Sequence, residues 1–302
     1  MRPGMYCLKR SGDHPAWRVM RRSRTLSAPR PHRGIAMRIT LLTNRDLASN
    51  IALNLLLPTL SDKHEVEAYC SSSVGTPSAH PDMATLQFLE QTLPNDLLFP
   101  LIDAQAHEGE LLTFQGLERY LNSPVRSLNN PNSPEGLKVV SETVPDLVIS
   151  IRYGRILRAE ALSIPTRGVL NLHSGRLPTY RGVMATFRAM LAQDEDLCST
   201  LHWIDDDSID TGRVISIQNH RRRPEACYLS NTLSLYPAGC KAVLKAVSIL
   251  EDQGALPSLE SESAGTYYSF PDEDSLSRFN QAGYQWAASE FLTELFSRYL
   301  PK

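Results

Sequence analysis

The stretch MRITLLTNRDLASNIALNLLLPTLSDKHEVEAYCS, residues 37–71, indicates a strand, a helix and a second strand in succession. Arg38–Leu42 is an apolar run, Asp46 is placed to cap a helix that ends before Pro58, and Val66–Ser71 is strand-like again. Strands that alternate with helices are typical of parallel sheets, because each parallel connection needs a crossover. The stretch therefore predicts an α/β fold.

The downstream pattern extends this fold and adds a tail. Asp146–Ile151 is another buried strand, and Ser133–Val144 before it has helical periodicity. We therefore predict a doubly wound, Rossmann-like, mostly parallel sheet with helices on both faces in residues 37–222. Residues 223–302 combine apolar residues at helical intervals with an aromatic edge at Gly265–Pro271. They predict a small, mainly helical C-terminal appendage.

The composition is that of an ordinary globular protein. The 302 residues are 42% hydrophobic and 21% charged, which is enough for one large domain and an appendage. The sequence holds no uninterrupted apolar run of about eighteen residues, so we expect no membrane span.

The N-terminal residues 1–36 differ from the rest. They carry nine Lys or Arg and a single acid, Asp13, while the whole chain has a net charge of −2. An Arg-rich, acid-poor leader is compatible with a transit peptide or a nucleic-acid-binding arm, but its prolines oppose an amphipathic helix. We favour a disordered extension, with Met37 as the functional start.

The cysteines and the absence of metal-ligand spacing bear on the compartment. Five cysteines are scattered without a Cys-x-x-Cys pair. An odd, scattered set favours reduced thiols in the cytoplasm over a disulfide framework or a zinc site. The five are Cys7, Cys70, Cys198, Cys227 and Cys240.

Polar residues suited to chemistry concentrate in residues 168–217. Val169–His173 reads as a short buried strand, and alternate side chains share a strand face, so Asn171 and His173 point the same way. Thr200–Ile204 reads as another strand, and Asp210 lies in the turn that follows it. We expect Asp210 to reach His173 if the two strand ends meet.

An amide, an imidazole and a carboxylate together suit acyl transfer to an amine. The amide of Asn171 can donate to an oxyanion, His173 can move the proton that the amine loses, and Asp210 can fix the tautomer or stabilise the charge. Each residue alone would be an ordinary strand or turn residue. Their combination makes all three candidate catalytic residues.

The strings NLHSGRLPTYRG, residues 171–182, and DDSIDTG, residues 206–212, resemble the signature of the folate-dependent formyltransferase family. This family includes glycinamide ribonucleotide, methionyl-tRNA and sugar N-formyltransferases. Its motif is an Asn-x-His strand, a Leu-Pro-x-x-x-Gly loop and a later Asp-x-Gly turn, and its catalytic residues fall on Asn171, His173 and Asp210. The resemblance covers residues 37–222.

The resemblance also implies a donor, 10-formyltetrahydrofolate. The segment RYGRIL is similar to the family segment whose backbone binds the pterin ring, and the acidic loop Asp205–Asp207 resembles one that walls the pterin pocket. Asp207 is the loop residue that we name as a candidate. The cofactor-binding candidates of the first segment are Arg152, Tyr153, Gly154, Arg155, Ile156 and Leu157.

The acceptor is the least determined part of the prediction. Thr43–Asp46 has no glycine, whereas the purine-pathway relatives hold a ribose phosphate on a Gly-containing loop there. Residues 227–302 hold five basic and nine acidic residues, a poor composition for binding RNA. We therefore expect a small-molecule amine, such as a nucleotide amino sugar or an amino-acid-derived amine, and no nucleic-acid partner.

Three functional classes remain open. The first is an N-formyltransferase in cytoplasmic biosynthesis, the second a 10-formyltetrahydrofolate hydrolase, and the third a non-enzymatic folate-binding module. An intact Asn171, His173 and Asp210 disfavours the third class. The segment Tyr180-Arg181 could touch the acceptor or simply cover the loop. The tail aromatics predict core packing and a possible homodimer contact.

Overall fold

The computed structural model of the chain describes residues 36–72, 80–105, 109–259 and 265–301. Residues 1–35, to which nearly all of the predicted extension belongs, lie outside the described residues.

A central sheet confirms the predicted fold class. The described strands are β1 (Arg38–Asn44), β2 (Glu65–Ser71), β3 (Arg126–Ser127), β4 (Leu147–Ile151), β5 (Val169–His173), β6 (Tyr180–Gly182), β7 (Asp196–Trp203), β8 (Val214–Arg221) and β9 (Thr266–Tyr268). Seven of them form one sheet in the order β3-β2-β1-β4-β5-β7-β8. The pairs from β3 to β5 are parallel, whereas β7 and β8 join antiparallel.

Helices connect these strands. They are α1 (Leu47–Leu60), α2 (Pro81–Gln87), α3 (Phe99–Asp103), α4 (Phe114–Leu117), α5 (Pro134–Glu142), α6 (Ala159–Leu162), α7 (Ala185–Leu191), α8 (Tyr228–Leu233), α9 (Tyr236–Gln253), α10 (Glu273–Gln281) and α11 (Ser289–Ser297). Phe88–Leu98 joins α2 to α3 with wide, π-type turns, and Glu118–Tyr120 is a single tight turn.

The sheet is covered on both faces, as the sequence predicts. Along β1, Ile39 and Leu41 join the core cluster that contains α1 and α9, while Leu42 joins the cluster that contains α5 and α6. Because successive side chains of a strand point to opposite faces, this division places helices on each side of the sheet.

The first strand-to-helix connection is built around Asp46. Its Oδ1 accepts a hydrogen bond from Ser49 N at 2.8 Å and caps α1. The prediction that α1 ends before Pro58 is wrong, since the helix continues to Leu60. A proline so near the end removes one backbone hydrogen bond and leaves the last turn closed by Ser61 N to Leu57 O at 3.0 Å.

The C-terminal part is mainly helical, as predicted, but it is not peripheral to the core. Helix α9 packs against α1 and β7, and its Val243, Val247 and Leu250 are buried in the same cluster as α1. Within the described residues, Tyr228–Gln253 is the one helical stretch long and apolar enough to cross a membrane, and 56% of its most apolar 18-residue window is buried inside the fold. Core packing accounts for its apolar composition. The domain boundary after residue 222 stays a prediction.

The burial of α9 leads to a stability prediction. Leu250 is 2% exposed, so Leu250→Ala should lower the free energy of unfolding by about 2–5 kcal/mol. The exposed Lys245 on the same helix is the matched control, because Lys245→Ala should change stability by less than about 0.5 kcal/mol. Urea unfolding measures both. Equal, small changes would mean that α9 does not contribute to the core.

Candidate active site

The structure brings Asn171, His173 and Asp210 together at the end of β5. The two β5 side chains lie on one side of the strand, and Asp210 reaches both from the turn that follows β7. Asn171 Nδ2 is 3.4 Å from Asp210 Oδ1, and His173 Nδ1 is 3.4 Å from Asp210 Oδ2. Asp210 adopts a left-handed backbone with φ 55°, which Asp tolerates better than most residues.

Hydrogen bonding defines the tautomer of His173. Its Nε2 is 2.7 Å from the carbonyl oxygen of Tyr180. A carbonyl only accepts hydrogen bonds, so Nε2 carries the hydrogen and Nδ1 is the nitrogen that faces Asp210. The backbone of Tyr180 therefore fixes the tautomer, a role that the sequence interpretation allowed for the carboxylate. Asp210 is left to stabilise charge on the ring.

A second histidine, His202, completes the group and was missed from the sequence. Its Nδ1 donates to Trp203 O at 2.8 Å, so its Nε2 is free to accept from Asn171 Nδ2 at 3.0 Å. The same Nε2 is 3.4 Å from Asp210 Oδ1. His202 is the cross-strand partner of Asn171 between β5 and β7. Antiparallel pairing of the two predicted strands was the signal that could have found it.

Asp210 is buried but remains ionised. Burial by itself raises the pKa of this carboxyl, but electrostatic interactions with His173 and His202 and the backbone N–H of Gly182 lower the pKa well below its ordinary value. The Gly182 N–H donates to Asp210 Oδ2 at 2.8 Å. The cluster therefore holds a fixed negative charge between two imidazoles.

The C-terminal part of the chain reaches the site through Gly182. Strand β9 pairs in parallel with β6, and a Cβ on Gly182 would lie 2.2 Å from Tyr268 O. Gly182 has φ 93°, so only glycine fits this close approach comfortably. The neighbouring Tyr267 is 49% exposed and lines the same cavity as the histidines. Sequence reasoning assigned the tail aromatics to packing and missed this position.

A cavity of about 510 Å³ unites the predicted site residues. All three candidate catalytic residues line it, and so do Asp207 and every residue of Arg152–Leu157. Asp205 does not line the cavity and instead binds Arg213, with 2.7 Å between Oδ1 and Nη2. The volume is in the usual range for a small-molecule site.

The side chains of the RYGRIL segment are anchored to the protein. Arg152 Nε donates to Asp46 Oδ2 at 2.8 Å, Tyr153 Oη donates to Leu128 O at 2.7 Å, and Arg155 Nε donates to Asn129 O at 2.9 Å. The backbone N–H of Gly154 donates to Ser71 Oγ at 3.1 Å. Exposed Ile156 and buried Leu157 provide apolar surface.

Tyr180 and Arg181 were expected either to touch the acceptor or to cover the loop, and the structure decides this in part. The Tyr180 ring is buried, and its hydroxyl donates to Asp194 Oδ2 at 2.8 Å, so this side chain covers the loop. Arg181 Nε donates to Ile209 O at 3.0 Å and thereby holds the Asp210 turn.

Metal and disulfide chemistry find no support in the described residues. No three His, Cys, Asp or Glu side chains there are arranged to hold a metal ion, and the described cysteines Cys70, Cys198, Cys227 and Cys240 are unpaired and buried.

Comparison with known sequences points to one family. Residues 105–222 match the formyl transferase family model. The chain is 37% identical over 101 residues to a methionyl-tRNA formyltransferase of Frankia alni, covering 33% of this chain and 30% of that protein. It is 31% identical over 149 residues to that of Magnetococcus marinus, covering 48% and 46%. The chain thus spans less than half the length of these curated relatives.

Solved structures share the fold. A 4-N formyltransferase from Francisella tularensis and a sugar N-formyltransferase from Shewanella sp FDAARGOS_354 are each 14% identical and each cover 77% of this chain and 76% of their own, with TM-scores of 0.52 and 0.51. HypX from Aquifex aeolicus, solved with tetrahydrofolic acid, is 17% identical and covers 82% of this chain and 34% of its own, with a TM-score of 0.50. Residues 105–222 therefore match the formyl transferase family, and the chain shares its fold with solved formyltransferases.

Proposed function

We propose that this chain is an N-formyltransferase that moves the formyl group of 10-formyltetrahydrofolate to a primary amine of a small molecule. The observation that carries the proposal is the meeting of Asn171, His173 and Asp210 in one cavity inside the formyl transferase domain. The names of the relatives agree with this chemistry. We place the activity in the cytoplasm, as the reduced cysteines predict.

The donor would be held by the wall made of Arg152–Leu157 together with Asp207. That wall fits a flat, partly apolar group, because Ile156 and Leu157 contribute apolar side chains to the lining of the cavity. HypX, a fold neighbour, was solved with tetrahydrofolic acid. The donor supplies the one-carbon group at the formyl oxidation level.

Four residues of the chain have separate roles in the transfer of the formyl group. As the neutral amine of the acceptor attacks the formyl carbon, Asn171 donates an N–H to the oxygen on which negative charge develops. His173 Nδ1 takes the proton that the amine loses and passes it to the folate nitrogen as the bond from that nitrogen to the formyl carbon breaks, while Asp210 stabilises the intervening imidazolium. His202 holds the amide of Asn171 through its Nε2, at 3.0 Å. The amide gives up its long, 3.4 Å contact with Asp210 when the oxygen needs a donor.

A small-molecule acceptor is favoured over tRNA. The relatives named as methionyl-tRNA formyltransferases are matched over less than half of their length, so their acceptor does not follow from the match. Residues 227–302 carry nine acidic and five basic residues, and polyanions bind poorly to such a segment. Amino sugars and amino-acid-derived amines fit a cavity of about 510 Å³.

The deciding experiment measures tetrahydrofolate released from 10-formyltetrahydrofolate by the purified full chain, with and without a panel of amines. Release that depends on one amine supports the transferase. Equal release without amine would overturn it and leave the hydrolase, in which water takes the place of the amine. Donor binding without any release would leave the non-enzymatic folate-binding module.

Removing the side chain of Asn171 or that of His173 should abolish most turnover. We expect His173→Ala and Asn171→Ala each to lower kcat about 100-fold or more, because each removes a group that acts in the transition state. His220→Ala on β8 is the matched control, since His220 lies outside the cavity lining, and it should keep wild-type kcat. Initial-rate assays measure the effect. Near-normal turnover by His173→Ala with donor binding intact would contradict the assignment.

The ionised state of Asp210 predicts a pH effect on stability. The pKa of Asp210 is lower in the folded chain than in the unfolded chain, so its charge stabilises the fold above the unfolded pKa, and this contribution is lost as pH falls. Relative to that of Asp210→Asn, the free energy of unfolding of the wild type should rise by about 2 kcal/mol between about pH 2 and pH 5. Denaturant unfolding at several pH values measures this gain. Parallel pH profiles for the two proteins would show that Asp210 is not held ionised.

A further inference from the structure

The charges that line the cavity are unbalanced. Four acidic residues line it, whereas Arg152 and Arg155 are the only Lys or Arg among the lining residues that the structure describes. The internal stretches outside the described residues, 73–79, 106–108 and 260–264, contain no Lys or Arg in sequence. The acidic residues are Glu90, Asp206, Asp207 and Asp210.

Both arginines already make hydrogen bonds within the protein, and Arg152 is also paired with carboxylates. Arg155 donates to two backbone carbonyls, Asn129 O at 2.9 Å and Gly154 O at 3.1 Å. Arg152 lies between two carboxylates, with Nε 2.8 Å from Asp46 Oδ2 and Nη2 3.4 Å from Glu90 Oε2. Burial by itself lowers the pKa of Arg152, but the two carboxylates raise it well above its ordinary value. Its charge is therefore already neutralised within the protein.

The N-terminus of α1 is closed to anions as well. A helix N-terminus at the carboxyl end of a parallel strand attracts anions through its free N–H groups. Here the fully buried carboxylate of Asp46 occupies that position, bonded to Ser49 N at 2.8 Å and to Asn44 Nδ2 at 2.8 Å. Asp46 does not itself line the cavity, but its hydrogen-bond partner Asn44 does, so a phosphate at that wall would lie near a buried negative charge.

Glu90 adds a second acidic group whose hydrogen bonding is incomplete. It is 9% exposed and lines the cavity, and its Oε1 has no hydrogen-bond partner among the described residues. The pKa of Glu90 is raised to about 7, because burial and the charge of Asp46 together outweigh the lowering by Arg152, so most of this carboxyl is ionised at pH 8. Asp46, Glu90 and Arg152 together then carry one excess negative charge.

We propose that the part of the acceptor that enters this cavity carries no phosphate, and that Glu90 and Asp46 exclude phosphate by neutralising Arg152 and closing the α1 N-terminus. This inference rests on the proposed formyl transfer and narrows its acceptor to a neutral or cationic amine, such as a free amino sugar or an amino-acid-derived amine. Acceptors bound through a phosphate or diphosphate are excluded.

We call this exclusion of phosphate by Asp46 and Glu90 the electrostatic block. It can be tested by a binding measurement that does not depend on turnover. Sulfate is the probe, because it resembles phosphate and keeps its charge across the working pH. Calorimetry on the full chain at pH 8 should detect no sulfate binding to the wild type at millimolar concentration. The near-isosteric Asp46→Asn/Glu90→Gln double variant leaves Arg152 unpaired and should bind sulfate at least about tenfold more tightly.

Two further variants serve as a charge-matched control and as an alternative to the double variant. Asp62→Asn/Glu142→Gln removes the same charge from two exposed positions and should bind sulfate as the wild type does. If the double cavity variant fails to fold, Glu90→Gln alone should show a smaller gain. Sulfate binding by the wild type, or no gain in a folded cavity variant, would overturn the block.

Matched acceptors test the substrate class. The wild type should formylate glucosamine with a kcat/KM at least about tenfold above that for glucosamine 6-phosphate, and Glu90→Gln should narrow this ratio. A preference for the phosphate ester or for a nucleotide-linked amino sugar would overturn the inference. If no amine is formylated but the cavity variant gains sulfate binding, the proposed formyl transfer fails and the electrostatic block stands.

Discussion

The buried carboxylate of Asp210 is the constraint on which the rest of the site depends. It lies within 3.4 Å of His173, of His202 and of Asn171, and it accepts the backbone N–H of Gly182 at 2.8 Å. A buried charge is stable only when it is paired and hydrogen-bonded. The polar groups around it must therefore converge, and the sheet supplies that convergence by pairing β5 with β7.

The same constraint explains why the C-terminal part is part of the site. Gly182 has no side chain, so β9 can pack directly against the same backbone that donates to Asp210. Tyr267 enters the cavity as a consequence of this pairing. Helix α9, from the same C-terminal part, packs against α1 in the main core. An appendage in sequence thus becomes a wall of the cavity in three dimensions.

Most of the correct predictions came from local sequence patterns. The residues that were missed enter the site through pairing between strands that are distant in sequence. The alternation of strand and helix, the Asp46 cap and the shared face of Asn171 and His173 depend on neighbours in sequence, and all are found in the structure. His202 and Tyr267 enter the site through pairing with distant strands, which local periodicity does not report. The Asp46–Arg152–Glu90 cluster joins three separate elements, so its charge balance required coordinates.

The central claim is that Nδ1 of His173 is the nitrogen available for proton transfer, with Asp210 beside it. Nitrogen-15 NMR of the histidine-labelled full chain tests this most directly, with His173→Gln and His202→Gln used to assign the two rings. The account predicts a neutral His173 protonated at Nε2 and a neutral His202 protonated at Nδ1, as their carbonyl partners require. A neutral His173 protonated at Nδ1 would contradict the account, because no lone pair would then face Asp210 and the site would lack its base.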